Sequence, residues 1–156
     1  MKQDRFLIGI LIGIGVLILS ALILFYSRQS QMQYSSGDIP AAVVKNYLLA
    51  LNKKDYARAY GYLKSGEGKP TADEFAKVFL SSAGELRNMD VQILETSLAG
   101  SSASVDLVLN NVNSGRTYRI YQQEESAQLV LENGAWKIET MPYPYWSYDW
   151  FSYKDK

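Results

Sequence analysis

The sequence has no cysteine and no histidine among its 156 residues. These absences exclude disulfides, thiol nucleophiles, zinc sites of the Cys/His type and histidine general bases. They also exclude an anchor attached through a lipidated cysteine. No acidic cluster has metal-site spacing, so we expect neither a metal nor a cofactor. The adjacent Glu124 and Glu125 would point to opposite faces of a strand, which is typical of a charged edge that discourages aggregation.

An excess of charge of one sign is also missing, because 16 Lys and Arg residues balance 16 Asp and Glu residues. No basic stripe interrupts this balance, so the sequence offers no electrostatic surface for DNA or RNA. We therefore expect no nucleic-acid partner. About 120 residues follow the apolar N-terminal segment, which suits one domain with one core.

What the sequence does contain is one long apolar run, FLIGILIGIGVLILSALILFY, at residues 6–26. About 21 residues with a rise of about 1.5 Å each give a helix of roughly 31 Å, the thickness of a hydrocarbon core. We predict a retained transmembrane helix, because a cleaved signal peptide has a shorter apolar region and an Ala-x-Ala-like site. Lys2 and Arg5 precede the run and Arg28 follows it, which favours a cytoplasmic segment 1–5 and an extracytoplasmic domain.

This segment predicts a single-pass cell-membrane protein, with the lipid bilayer as its first partner. Gly9 and Gly13 form a Gly-x-x-x-Gly pair within it. Such a pair lets two membrane helices approach closely, so it is a candidate contact for a homodimer.

Beyond the membrane segment, residues 27–37 are rich in Ser and Gln and predict a flexible stalk. A folded domain is expected over residues 38–141. Asp38 is predicted to cap a first helix that has Pro40 in its first turn.

Two further helices are expected before the strands begin. A short one starts at Asp55, and a turn at residues 65–70 follows it. The third begins with a capping box from Thr71 to Glu74, and Gly84 is its predicted C-cap.

The hydrophobic period then changes from 3.6 to 2, which predicts strands. We expect them at residues 88–98, 102–110, 116–132 as one bent strand, and 135–140. Asn113-Ser114-Gly115 and Asn133-Gly134 are hairpin turns, and turns this short require antiparallel pairing. The fold class is therefore α+β, with a transmembrane helix followed by three helices packed on a curved antiparallel sheet of about four strands.

Four segments give this domain a resemblance to the NTF2-like superfamily, the cone-shaped fold of nuclear transport factor 2 and ketosteroid isomerase. They are PAAVVKNYLLAL at 40–51, DYARAY at 55–60, TADEF at 71–75 and NGAWKI at 133–138. The resemblance covers roughly residues 38–141, includes no invariant motif and extends to small bacterial membrane-anchored domains. It implies a pocket between helices and sheet, which members use for catalysis or ligand binding, so the fold alone does not determine the function.

A catalytic pocket of this type would need a carboxylate base and an acid inside an apolar cone. Glu95 shares strand parity with Val91 and Ile93, and Tyr118 shares parity with Ile120. Glu95 and Tyr118 are therefore the candidate acid/base pair. Asp106 has the opposite phase to its apolar neighbours and is predicted to be solvated.

The C-terminal tail, residues 142–156, is unusually aromatic. It contains the candidate interaction residues Tyr143, Tyr145, Trp146, Tyr148, Trp150 and Phe151. Folding back to complete the core is one interpretation, and a partner-protein interface is a second. Contact with lipid headgroups and stacking on saccharides are the others.

The sequence thus predicts a membrane-tethered, non-enzymatic NTF2-like module that binds a partner protein or a small ligand outside the cytoplasm. One version is an accessory of an envelope complex. The alternative is a small-molecule-binding protein, or an enzyme of the isomerase or dehydratase kind, that uses the cone pocket.

Overall fold

The computed structural model describes residues 2–31, 33–113 and 119–151. It divides into two compact units, Met1–Gln33 and Tyr34–Lys156. The first unit consists of helix α1, Lys2–Gln31. Side chains of α1 are described for residues 8–24. Within the described residues, no helix combines the length and the hydropathy that a membrane span requires.

The second unit begins with four helices, of which the first starts at a proline. They are α2 (Pro40–Asn52), α3 (Tyr56–Gly61), α4 (Ala72–Ser81) and α5 (Ala83–Arg87). Ile39 occupies the N-cap of α2 without a side-chain cap, so the prediction for Asp38 is wrong. The Asp38 carboxylate instead accepts a hydrogen bond from the backbone N–H of Trp136, at 3.3 Å. Asp38 therefore fixes the start of the last strand.

Helix α4 begins with the predicted capping box. Thr71 Oγ1 accepts from the Glu74 N–H at 3.3 Å, and Glu74 Oε2 accepts from the Thr71 N–H at 2.8 Å. The hydrogen bonds from Thr71 lower the pKa of the Glu74 carboxyl. Gly84 does not cap α4, because Ser82 ends that helix and Gly84 lies inside α5. The good helix formers that follow Gly84 continue the helical path, so the predicted C-cap is wrong.

Four strands form one sheet in the order β1-β2-β3-β4, and every neighbouring pair is antiparallel. They are β1 (Met89–Ala99), β2 (Ser102–Asn113), β3 (Arg119–Glu132) and β4 (Ala135–Thr140). Asn133 and Gly134 both have positive φ, 51° and 82°, as the tight hairpin turn requires. The α+β class and the antiparallel four-stranded sheet are thus confirmed. The predicted turn at Asn113-Ser114-Gly115 lies, from residue 114 onward, outside the described residues.

The core of the second unit lies between α2, α4 and one face of the sheet. Val44, Tyr47, Phe75 and Phe79 are fully buried in it, in one cluster with apolar side chains of the central strands. Phe75 and Phe79 make an edge-on ring contact at 4.8 Å between centroids. An aromatic pair at this spacing adds about 0.5–1.5 kcal/mol beyond the area that it buries.

Asn46 is the buried polar residue of this region and holds the chain just before α2. Its Oδ1 accepts from the Ser35 N–H at 2.7 Å, and its Nδ2 donates to the Ser35 carbonyl at 3.0 Å. Asn46 is only 6% exposed, and Tyr34 packs against the core. The compact unit therefore starts at Tyr34, before the predicted boundary at Asp38. The flexible stalk stays a prediction.

Replacing Asn46 with alanine should lower the free energy of unfolding by about 1–3 kcal/mol, because two backbone groups of Ser35 lose their partner. Protease cleavage within residues 33–37 should rise with it. Urea denaturation and limited proteolysis of the full chain would measure both effects. Asn52→Ala is the matched control, since Asn52 is an exposed asparagine of the same helix. Equal behaviour of the two variants would show that Asn46 does not hold this segment.

Candidate binding cleft

The face of the sheet that packs on the helices is its inner face. Along β2 and β3, the residues of this face change from apolar to polar. Val105 pairs with Ala127, whereas Leu107 pairs with Glu125 and Leu109 with Gln123. The antiparallel register places the apolar ends of both strands together, where they are buried under the helices. It also places Asn111, Gln123 and Glu125 together at the other end of the face.

A cleft of about 660 Å³ lies at this polar end. Helix α5, the inner sheet face and the start of the C-terminal tail form its walls. Its lining consists of Glu85, Asn88, Met89, Leu109, Asn111, Gln122, Gln123, Tyr143 and Pro144. Four of these side chains are carboxamides, so the cleft offers many neutral hydrogen-bond donors and acceptors.

A hydrogen bond between the tail and α5 crosses the wall of the cleft. The Tyr143 hydroxyl donates to Glu85 Oε2 at 2.6 Å. This hydrogen bond to the Glu85 carboxylate raises the pKa of the Tyr143 hydroxyl. Nearby, the Gln123 amide donates to the Glu125 carboxylate. Both carboxylates of this region thus accept a hydrogen bond from a neutral group.

A smaller hollow of about 360 Å³ adjoins the cleft and shares Gln123 and Tyr143 with it. Tyr148 forms part of its wall and is 78% exposed. The rings of Tyr143 and Tyr148 stack nearly parallel, at 6.2 Å between centroids and 8° between planes. They form an aromatic surface beside the polar lining.

Glu95 does not share a face of β1 with Val91 and Ile93, contrary to the prediction from strand alternation. The pairing of β1 with β2 shifts register between Ile93 and Thr96, which is the signature of a bulge. Thr96 is half-buried after the shift, whereas Glu95 is exposed. Equal parity with Val91 and Ile93 therefore does not place Glu95 on their face of the sheet. Tyr118 lies outside the described residues, so the acid/base pair stays an untested prediction.

The tail aromatics divide into buried and exposed residues. Tyr145, Trp146 and Trp150 are 5%, 7% and 7% exposed and belong to the core cluster. The hydroxyl of buried Tyr47 donates to the Tyr145 carbonyl at 2.8 Å, and burial raises the pKa of both tyrosines. The tail therefore completes the core, as the first of its interpretations expected. Phe151 is half-buried. Of the tail aromatics up to residue 151, Tyr143 and Tyr148 are the exposed ones.

Gly9 and Gly13 lie on α1 with no non-neighbouring atom within 4 Å of a Cβ added at either position. Homodimerisation through them stays a prediction.

Asn111 and Gln123 of the cleft and Glu125 of the adjoining hollow were not identified as site residues from the sequence. The sequence contains one sign of this site: the alternating apolar residues of β2 and β3 are followed on the same face by polar residues. The register that brings the two polar ends together becomes visible only in the folded sheet.

No family model and no curated protein sequence matches this chain. Its structure is similar to that of a SEC-C motif containing protein from Rhodopseudomonas palustris, with a TM-score of 0.50 and 19% identity. That similarity covers 67% of this chain and 77% of the other and shows a shared fold.

Two other solved structures are similar to a lesser degree. An NTF2-like protein from Campylobacter jejuni has a TM-score of 0.46 and 19% identity, over 64% of this chain and 95% of that one. An NTF2-like protein with a cystatin-like fold from Novosphingobium aromaticivorans has a TM-score of 0.45 and 9% identity, over 77% and 82%. The names of both proteins contain the term NTF2-like.

Proposed function

We propose that this chain is a membrane-tethered NTF2-like module that binds a small polar ligand outside the cytoplasm without transforming it. The observation that carries this proposal is the amide-lined cleft of about 660 Å³. Its volume lies within the usual range of small-molecule sites, about 300–1,000 Å³. The walls come from a helix, three strands and the tail, which the core holds in place.

The hydrogen bonds of two described carboxylates beside the cleft fit a binding role, because they fix the side chains around it. Glu85 and Glu125 accept hydrogen bonds from Tyr143 and Gln123. Such carboxylates orient the side chains around them, and those side chains then present fixed polar groups to a ligand.

The proposed tether is supported by α1 itself. Large apolar side chains are exposed on every side of this helix, among them Leu11, Leu17 and Ile23 at 65%, 70% and 68%. A helix of a soluble protein normally buries an apolar stripe and exposes a polar one. In the full sequence the apolar run extends from Phe6 to Tyr26, which is about the length of a bilayer span.

Carbonate extraction of membranes that contain the full chain would test the tether. The wild-type protein should stay in the membrane pellet, and protease added from outside should degrade the domain. Leu17→Arg should shift protein into the soluble fraction, because a charge at mid-span costs about 2.5–3.5 kcal/mol. Leu17→Ala is the control and should behave as the wild type. Wild-type protein in the carbonate supernatant would contradict the tether.

Thermal shift of the full chain in detergent, with a collection of small polar compounds, would test the binding role. A stabilising compound should lose its effect in Gln123→Ala and keep it in Gln92→Ala. Gln92 is the matched control because it is exposed on β1 with the opposite phase to half-buried Val91 and Ile93. A protein captured in a pull-down, with no shift from any compound, would instead favour the partner-protein interpretation.

A further inference from the structure

We propose that the cleft binds an uncharged glycan, with the stacked Tyr143 and Tyr148 as its aromatic platform. This inference rests on the proposed binding function and assigns its ligand class. Three observations carry it: the charge of the lining, its amide content and the exposed aromatic surface beside it.

The charge of the lining disfavours anionic ligands. No lysine or arginine is present among the described residues that line the cleft and the adjoining hollow. The charged side chains there are the carboxylates Glu85 and Glu125. Among the described lining residues, a phosphate or carboxylate ligand would meet like charge and no cationic partner, and desolvating it there would be costly.

The amides favour a ligand with many neutral polar groups. Asn88, Asn111 and Gln123 each have a carbonyl acceptor and an NH₂ donor. A sugar hydroxyl also both donates and accepts, so adjacent hydroxyls can pair with both ends of one carboxamide. The two hollows share Gln123 and Tyr143, so a chain of several sugar rings can extend from one into the other.

The aromatic surface suits the apolar face of a sugar ring. Tyr148 is 78% exposed and Tyr143 54% exposed, and their planes differ by 8°. Tyrosine supplies a large rigid contact surface with few rotatable bonds and a polar end. An ammonium ligand would also be attracted to such rings and to the carboxylates. Amides are, however, the more numerous of the described lining groups, and they pair with hydroxyls, which both donate and accept.

Isothermal titration of the full chain would test the ligand class. The chain is held in a polyoxyethylene detergent, since sugar-based detergents would compete for the cleft. The neutral probes are chitohexaose and cellohexaose, and the charged probes are tetralysine and a sulfated tetrasaccharide. We expect a neutral probe to bind and the sulfated probe not to bind.

Variants then locate the site. Tyr148→Ala should weaken binding of the neutral probe about tenfold, and Tyr148→Phe should retain it, because stacking needs the ring and not the hydroxyl. Gln123→Ala should weaken binding about fivefold through loss of a hydrogen bond. Gln92→Ala and Leu98→Ala are controls at exposed positions outside the cleft lining, and they should bind as the wild type.

The outcomes separate this inference from the proposed function. If only tetralysine binds, and Gln123→Ala weakens it, the cleft is a binding site but the glycan assignment is wrong. Binding of a neutral probe that is unchanged in Tyr148→Ala and Gln123→Ala would overturn both the assignment and the role of the cleft. The absence of binding by either neutral probe at millimolar concentration would also overturn the glycan assignment.

Discussion

Replacing Trp150 with alanine should lower the free energy of unfolding by about 3–5 kcal/mol, the usual cost of truncating a buried aromatic side chain. Trp150 is 7% exposed. Its ring stacks on Phe75 at 5.2 Å and meets Phe79 at 5.8 Å and Trp146 at 5.1 Å. The alanine variant would leave a cavity among three large rings, two of which helix α4 holds in place. Urea denaturation of the full chain, followed by circular dichroism, measures the loss.

Tyr148→Ala is the matched control for this effect. Tyr148 lies two positions away in the same aromatic tail but is 78% exposed. Its replacement should lower the free energy of unfolding by no more than about 1.5 kcal/mol, the upper value of the stacked pair that it forms with Tyr143. Similar unfolding midpoints for Trp150→Ala and the wild type would mean that the tail is not part of the core. A large loss in Trp150→Ala alone distinguishes core completion from a surface interface.

The regular elements of the domain were predictable because each has a local signature. Thr71 and Glu74 satisfy the free N–H groups of a helix start, whatever surrounds them. Asn133 and Gly134 adopt the positive φ values that a two-residue hairpin demands. Strand β4 has the predicted bounds, Ala135–Thr140, since its period of two and its turn agree with each other.

The features that sequence reasoning missed depend on contacts that are distant in the chain. Asp38 has two competing uses, a helix cap and a hydrogen bond to Trp136, and the distant contact prevails. The bulge after Ile93 reverses the faces of the following residues, and alternation alone cannot show where a bulge lies. For that reason strand alternation assigned Glu95 to the face of Val91 and Ile93, whereas its side chain is exposed.

The candidate cleft illustrates the same limit for function. Asn111 and Gln123 are unremarkable in the sequence, because exposed strands commonly contain polar residues. They become a site only when the antiparallel register places them at one end of the sheet and the tail brings Tyr143 against Glu85. The high aromatic content marked the tail as unusual in the sequence. The sequence did not show that Trp150 is buried and Tyr148 exposed, because this depends on how the tail packs against α4.

Gly68 should contribute to the stability of the folded domain because the tail backbone packs directly against it. It lies in the turn at residues 65–70, and its carbonyl accepts a hydrogen bond from the Phe151 N–H at 2.9 Å. A Cβ at this position would lie 2.8 Å from Phe151 Cα and 3.0 Å from its nitrogen. These are backbone atoms, so the clash can be relieved only by moving the tail or the turn.

Gly68→Ala should therefore lower the free energy of unfolding by about 2–5 kcal/mol. The positive φ of +80° accounts for about 1–2 kcal/mol of this, and the clash adds the overpacking cost, about 1–3 kcal/mol. Gly100→Ala is the matched control, because its φ is +62° and nothing lies within 4 Å of its added Cβ. Gly100→Ala should lose only the contribution of the positive φ, about 1–2 kcal/mol of the free energy of unfolding. Equal losses in urea denaturation would show that the tail does not approach Gly68 closely, whereas a larger loss at Gly68 places the tail backbone against this turn.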